Sequence, residues 1–137
     1  MKLKNLSFVF IVILSFCIAG CVKEEKQEEQ KIKVQKRIGD DGGYEEFKEV
    51  NDPIEVGKVE NILNDTNWIK AKFEMSRPPD YQFLFQFKNP DIKAKVVLYR
   101  VWVSSNKETL EIIRGDDQYA KLTKEQSEIL FEIITSD

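Results

Sequence analysis

Three stretches in the middle of the chain alternate residue by residue. Ile69, Ala71, Phe73 and Met75 interleave with Lys70, Lys72 and Glu74, and Tyr81, Phe83, Phe85 and Phe87 interleave with Gln82, Leu84, Gln86 and Lys88. In 95–104, Val97, Tyr99, Val101 and Val103 fall on one side, with Val96, Leu98, Arg100 and Trp102 on the other. A period of two places alternate side chains on one face of a strand, so each stretch predicts a strand with a core-facing side. The breaks between them, Ser76-Arg77-Pro78-Pro79-Asp80 and Asn89-Pro90-Asp91, are rich in turn formers. Weaker alternation predicts an edge-like strand over 31–38 and a return strand over 44–50 after Gly39-Asp40-Asp41-Gly42-Gly43. Further strands are predicted at 109–114 and at 119–122, beyond Gly115-Asp116-Asp117.

The period lengthens to that of a helix twice. Asp52 precedes Pro53, with Glu55 three positions on, so Asp caps, Pro fills the first helical position and Glu55 can close the box. Val56, Val59, Ile62 and Leu63 then share one face, and Asn64-Asp65-Thr66-Asn67 ends the helix. Thr123 and Gln126 form a second capping box, opening a helix whose expected inward residues are Ile129, Leu130, Ile133 and Ile134. Consecutive strands with short turns favour an antiparallel meander, and the helices before and after it can cover its apolar side. The expected class is α+β: an antiparallel β-meander of about five to six strands with two helices on one face, forming a single domain over 31–137.

The N-terminus reads as an address. Lys2 and Lys4 precede an uncharged run, Leu6 to Ala19, of 14 residues. As a helix it would rise about 21 Å, short of a hydrocarbon core of about 30 Å, which suits an export signal rather than a spanning helix. Ile18-Ala19-Gly20-Cys21 resembles the lipobox of bacterial lipoproteins. That resemblance implies cleavage between Gly20 and Cys21 and a diacylglyceryl group on the Cys21 sulfur, so residues 1–20 belong to no domain. Cys17 would leave with the leader, and the mature chain would hold no free thiol and no disulfide. Apart from this covalent lipid, no cofactor or metal is expected. Residues 21–30, the lipidated Cys21 and a stretch entirely polar after Val22, predict a flexible, solvated tether of about 15–18 Å, or about 30 Å when stretched.

Composition narrows the chemistry. The 137 residues are 33% charged and include no histidine, which removes Ser-His-Asp and Cys-His catalysis and the commonest transition-metal ligand. Loss of residues 1–20 takes away Lys2 and Lys4 and no acid, moving the net charge from −3 to −5. No general attraction to nucleic acid is expected, and attachment to a bilayer rests on the two acyl chains at Cys21. Asp40-Asp41 and Asp116-Asp117 lack the alternating spacing of a calcium loop and read as turns.

The lipobox, the Trp68–Met75 stretch, Ser76-Arg77-Pro78-Pro79-Asp80-Tyr81 and the closing Tyr119-Ala120-Lys121-Leu122-Thr123 with its helix resemble the YhfM-like family of small lipoproteins from Gram-positive bacilli, of unknown function. The resemblance spans most of the mature chain, implies a lipid-anchored protein on the extracytoplasmic face of the cell membrane, and carries over no catalytic residue.

Two binding surfaces stand out. If helices cover one sheet face, Arg100 and Trp102 lie on the other amid polar neighbours, an aromatic-plus-arginine composition typical of interface hot spots. That version requires both to be exposed; the alternative is that residues 31–50 fold over Leu84, Leu98 and Trp102 as a second small core. The second surface is Arg77-Pro78-Pro79-Asp80-Tyr81, where paired prolines limit the entropy lost on binding, unless they only stiffen a connection. The expected function is a non-catalytic, membrane-anchored binding domain whose partner is an unidentified protein or envelope component. The alternatives are an accessory structural subunit of a membrane complex and a small carboxylate-dependent hydrolase, the latter disfavoured because short turns leave little material for a cleft.

Overall fold

The computed structural model describes residues 28–136; the leader, Cys21 and the first part of the tether lie outside the described residues. Gly39 and Gly42 adopt φ of 63° and 80°, a region costly for residues with a Cβ. They let β1 (Gln30–Ile38) fold back onto β2 (Gly43–Val50). The chain continues through α1 (Pro53–Asp65), β3 (Ile69–Lys70), β4 (Tyr81–Phe87), β5 (Tyr99–Val103), β6 (Leu110–Arg114), β7 (Gln118–Lys121) and α2 (Lys124–Thr135). The strands form one seven-stranded antiparallel sheet ordered β2-β1-β4-β5-β6-β7-β3. This is the expected α+β class, with the meander in β4 to β7.

Both helices cover the same sheet face. Val56, Val59, Ile62 and Leu63 of α1, as expected, join Leu130, Ile133 and Ile134 of α2 over Ile32, Val34, Phe83, Val101 and Ile112. The Asp52 carboxylate accepts the Ile54 N–H at 3.0 Å, and Thr123 and Gln126 exchange two bonds of 3.1 Å as the capping box requires. Lys48 Nζ donates to the Ile133 carbonyl at 2.8 Å, setting a cation where the helix dipole is negative. Ile129 is a correction: it is 37% exposed, and Ser127 is buried instead. Ser127 Oγ accepts the Leu110 N–H at 2.9 Å, so a hydrogen bond to the start of β6 turns α2 away from the expected stripe.

Three strand expectations also change. β1 lies inside the sheet, paired with β2 and β4, and β2 is the edge. The polar alternates of β1 are satisfied sideways, as where Gln82 Nε2 donates to Gln35 Oε1 at 2.5 Å. Residues 95–98 stay outside the sheet, and β5 begins at Tyr99. The predicted strand over 69–75 pairs only through Ile69 and Lys70. Its partner β7 begins at Gln118, and the Ala71 N–H already bonds the Asp117 carbonyl of the preceding turn at 2.8 Å. The ladder runs out there.

Residues 71–80 then cross the face opposite the helices. The Phe73 ring lies 4.3 Å from that of Tyr119, while Trp102 and Ile113 are buried at 3% and 4% exposure. A second small core therefore exists, covered by 71–80, whereas 31–50 are strands of the sheet itself. The alternation of 69–75 predicts a core-facing side, but Ile69 and Phe73 are 56% and 41% exposed: the segment lies over the sheet rather than joining it.

Tyr119 supplies a test of this face. Its hydroxyl donates to the Glu111 carboxylate. Burial first, then that hydrogen bond and the negative charge of Glu111, push its pKa from 10.0 up to about 12. The folded state keeps a proton that the unfolded chain releases, so the contribution is complete below pH 10 and is lost as pH rises towards 12. Urea unfolding across that window is expected to show a steeper loss of stability for the native chain than for Tyr119→Phe; parallel curves would refute the assignment.

Candidate functional site

The crossing segment rejoins the sheet at Asp80. Its Oδ1 accepts from Arg77 at 2.6 Å and Arg37 at 3.3 Å, and its Oδ2 accepts the Val103 N–H at 2.8 Å. The backbone around it is equally committed. Asp80 N–H donates to the Val101 carbonyl, Asp80 carbonyl accepts the Arg37 N–H, and Tyr44 and Trp102 donate to the carbonyls of Pro79 and Arg77. Arg77 also donates to the Val103 carbonyl at 2.5 Å. The Arg77–Asp80 loop is thus a rigid joint between β1, β4 and β5, with a carboxylate only 18% exposed at its centre. Burial, opposed in part by Arg37 and Arg100, raises the Tyr44 hydroxyl above its ordinary pKa, keeping it a donor.

Beside this joint lies a cleft of about 630 Å³, at the end of the sheet where β1 and β5 finish and β4 and β6 begin. Tyr81, Val103, Leu110 and Phe131 supply its apolar lining, Lys36, Arg37, Arg77 and Lys107 its cations, and Asp80, Glu108 and Glu128 its carboxylates. Tyr81 meets Phe131 edge to face at 6.1 Å and Phe47 at 6.0 Å, and Lys36 Nζ sits 5.4 Å from the Phe47 ring. Burial, with the Asp80 charge adding, raises the Tyr81 pKa, so its hydroxyl stays neutral. The far wall is the β5–β6 turn. Ser104 Oγ donates to Asn106 Oδ1 at 2.5 Å and accepts the Thr109 N–H at 3.2 Å, while Lys107 is held at a φ of 60°. A non-glycine residue in that region stores strain, and such residues gather at functional sites.

The residues singled out from sequence divide between two places. Arg77, Asp80 and Tyr81 line the cleft. Pro78 and Pro79, in the crossing segment, lie together with Arg100 and Trp102 of the sheet on the opposite face. There the exposed hot spot is corrected: Trp102 is a core residue, and half-buried Arg100 donates to the Gly115 carbonyl at 2.9 Å, bracing the β6–β7 turn. The cleft itself corrects the expectation that short turns leave no room for one, because it forms between the turn, the joint and α2. Arg37, Lys36 and Phe131 were missed. Phe131 carries a legible signal: an aromatic outside the Leu130, Ile133 and Ile134 stripe of an amphipathic helix. Ser104-Ser105-Asn106-Lys107 also has the Ser-x-x-Lys spacing of some acyl-transfer enzymes. Here the serine hydroxyl is engaged within its own turn.

The model of the YhfM protein family matches residues 25–137. The chain belongs to that family. The match takes in the crossing segment, the Asp80 joint and every residue of the cleft, so the family's domain is the whole sheet-and-helix unit described here. No curated protein and no solved structure matches the chain significantly.

Asp80→Asn keeps the shape and removes the charge that two guanidiniums share. The expected cost is about 2–3 kcal/mol of unfolding free energy, read from urea denaturation. A change within the scatter of a surface substitution would show that the joint does not depend on the charge.

Proposed function

We propose that the domain is a non-catalytic binding module, held at the extracytoplasmic face of the cell membrane by a diacylglyceryl group on Cys21, and that the cleft beside Asp80 receives its partner. One observation carries the reading. Phe131 is 38% exposed at the margin of the sheet-facing side of α2, edge-on to Tyr81, with Phe47 39% exposed beside them. Single exposed apolar residues are ordinary, but a contiguous aromatic group beside a rigid cleft lined by charged side chains has the make-up of a recognition site.

The lining favours one kind of partner. The apolar floor accepts an aromatic or aliphatic side chain, and Arg77, with 41% of its side chain exposed, keeps donors free beyond its bonds to Asp80 and the Val103 carbonyl. A segment of an envelope protein with an apolar residue flanked by carboxylates matches both. The polar groups suited to chemistry support binding instead: Asp80 is held by two arginines and a backbone N–H, and Ser104 is held by its turn. Rigidity of the joint lowers the entropy lost on association.

The test places a photo-crosslinking amino acid at Ser105, on the cleft wall, in intact cells. A single defined adduct is expected, lost in Phe131→Ser and absent when the same probe replaces Ile54, which is 70% exposed elsewhere. Equal labelling from Ser105 and Ile54, or an adduct indifferent to Phe131, would overturn the assignment.

A further inference from the structure

The two ends of the sheet differ in chemistry. Gln30 of β1 pairs with Phe87 at one end, and Lys36 pairs with Tyr81 at the other; six residues of strand separate them by about 20 Å. The cleft occupies the Tyr81 end. The Phe87 end carries the β4–β5 connection, residues 88–98, in which Lys88, Lys93 and Lys95 are exposed and Asp91 is the single acid. In the same connection Val96 and Val97 are 59% and 39% exposed.

This loop lies where the tether joins the domain. The Lys88 N–H donates to the Glu29 carbonyl, and its ammonium lies 3.0 Å from the Glu29 carboxylate and 2.9 Å from the Asn51 carbonyl. Gln30 and the stretch Ile92–Val97 line one groove of about 660 Å³. From Cys21 to Gln30 the chain reaches at most about 30 Å. An acylated Cys21 would therefore bring the bilayer within reach of the lysine-and-valine end, where the tether enters the domain. Lysines beside exposed aliphatic residues suit the interfacial layer of an anionic membrane, where each cation contributes about 1 kcal/mol. The loop carries three lysines against one acid within a domain whose acids outnumber its bases overall, so it offers an anionic surface a local positive charge.

We propose that residues 92–97 form a membrane-facing loop, in which Lys93 and Lys95 engage anionic lipid headgroups and Val96 and Val97 enter the interface, orienting the anchored domain with its cleft outward. The inference rests on the lipid anchor of the proposed function and adds a second, electrostatic contact.

The test uses the mature lipidated chain with a polarity-sensitive fluorophore on Val96→Cys, the sole free thiol once Cys21 is acylated, reconstituted on vesicles of equal parts phosphatidylcholine and phosphatidylglycerol. Flotation reports the anchor, and the fluorophore reports the loop. The expected result is flotation with an apolar shift of the fluorophore, which reverts on pure phosphatidylcholine. In a Lys93→Gln/Lys95→Gln background the ratio of docked to free loop should fall on the order of twentyfold. Flotation with a fully aqueous fluorophore on the anionic vesicles, or a shift indifferent to the two lysines, would overturn the loop contact and leave the anchor standing. A chain that fails to float would overturn the anchor, and the orientation with it.

Discussion

The Asp80 carboxylate is where the chain closes on itself. After β2 the polypeptide passes along one face of the sheet as α1, reaches the opposite edge at β3, and returns across the other face as residues 71–80 before entering the sheet at β4. Such a wrap has high contact order and few ladder bonds to hold its second half. Two arginines and the Val103 N–H, converging on one largely buried anion, fix the returning segment to β1 and β5. A buried charge is costly alone and strong when fully partnered. That joint seals Trp102 beneath the crossing segment, and the same two arginines form the cationic side of the cleft.

From this follows a domain with a polarity. Antiparallel strands put alternate loops at opposite ends of the sheet, so the β4–β5 loop and the β5–β6 turn are separated by the length of a strand. One carries lysines and exposed valines beside the origin of the tether; the other carries Lys107 at positive φ on the wall of an aromatic cleft. In our proposal the first end faces lipid and the second faces a partner. Such an arrangement needs no large interdomain motion, only the anchor together with the loop's contact with lipid to hold the orientation.

Much of the fold was legible because burial follows period. The four buried residues of α1, the Thr123-Gln126 box, and the core faces of β4 and β5 can be read from spacing alone. The misreadings share a cause: local patterns show which residues share a side without showing what that side meets. Residues 69–75 alternate like a strand yet mostly cover the sheet, and Ser127 displaces Ile129 because a distant N–H in β6 needs an acceptor. The candidate site was half visible. Arg77, Asp80 and Tyr81 stood out as a stiff loop, but Arg37 and Phe131 join them only through pairings across long sequence separations, which no local motif encodes.

The most direct test of the account is the height of each end above the bilayer. Energy transfer from single donors at Val96 and at Ser105 to acceptor lipids, in the lipidated chain on anionic vesicles, measures both. The account predicts that Ser105 stands about 20 Å or more farther from the membrane plane than Val96. Equal heights, or Ser105 nearer the lipid, would contradict it.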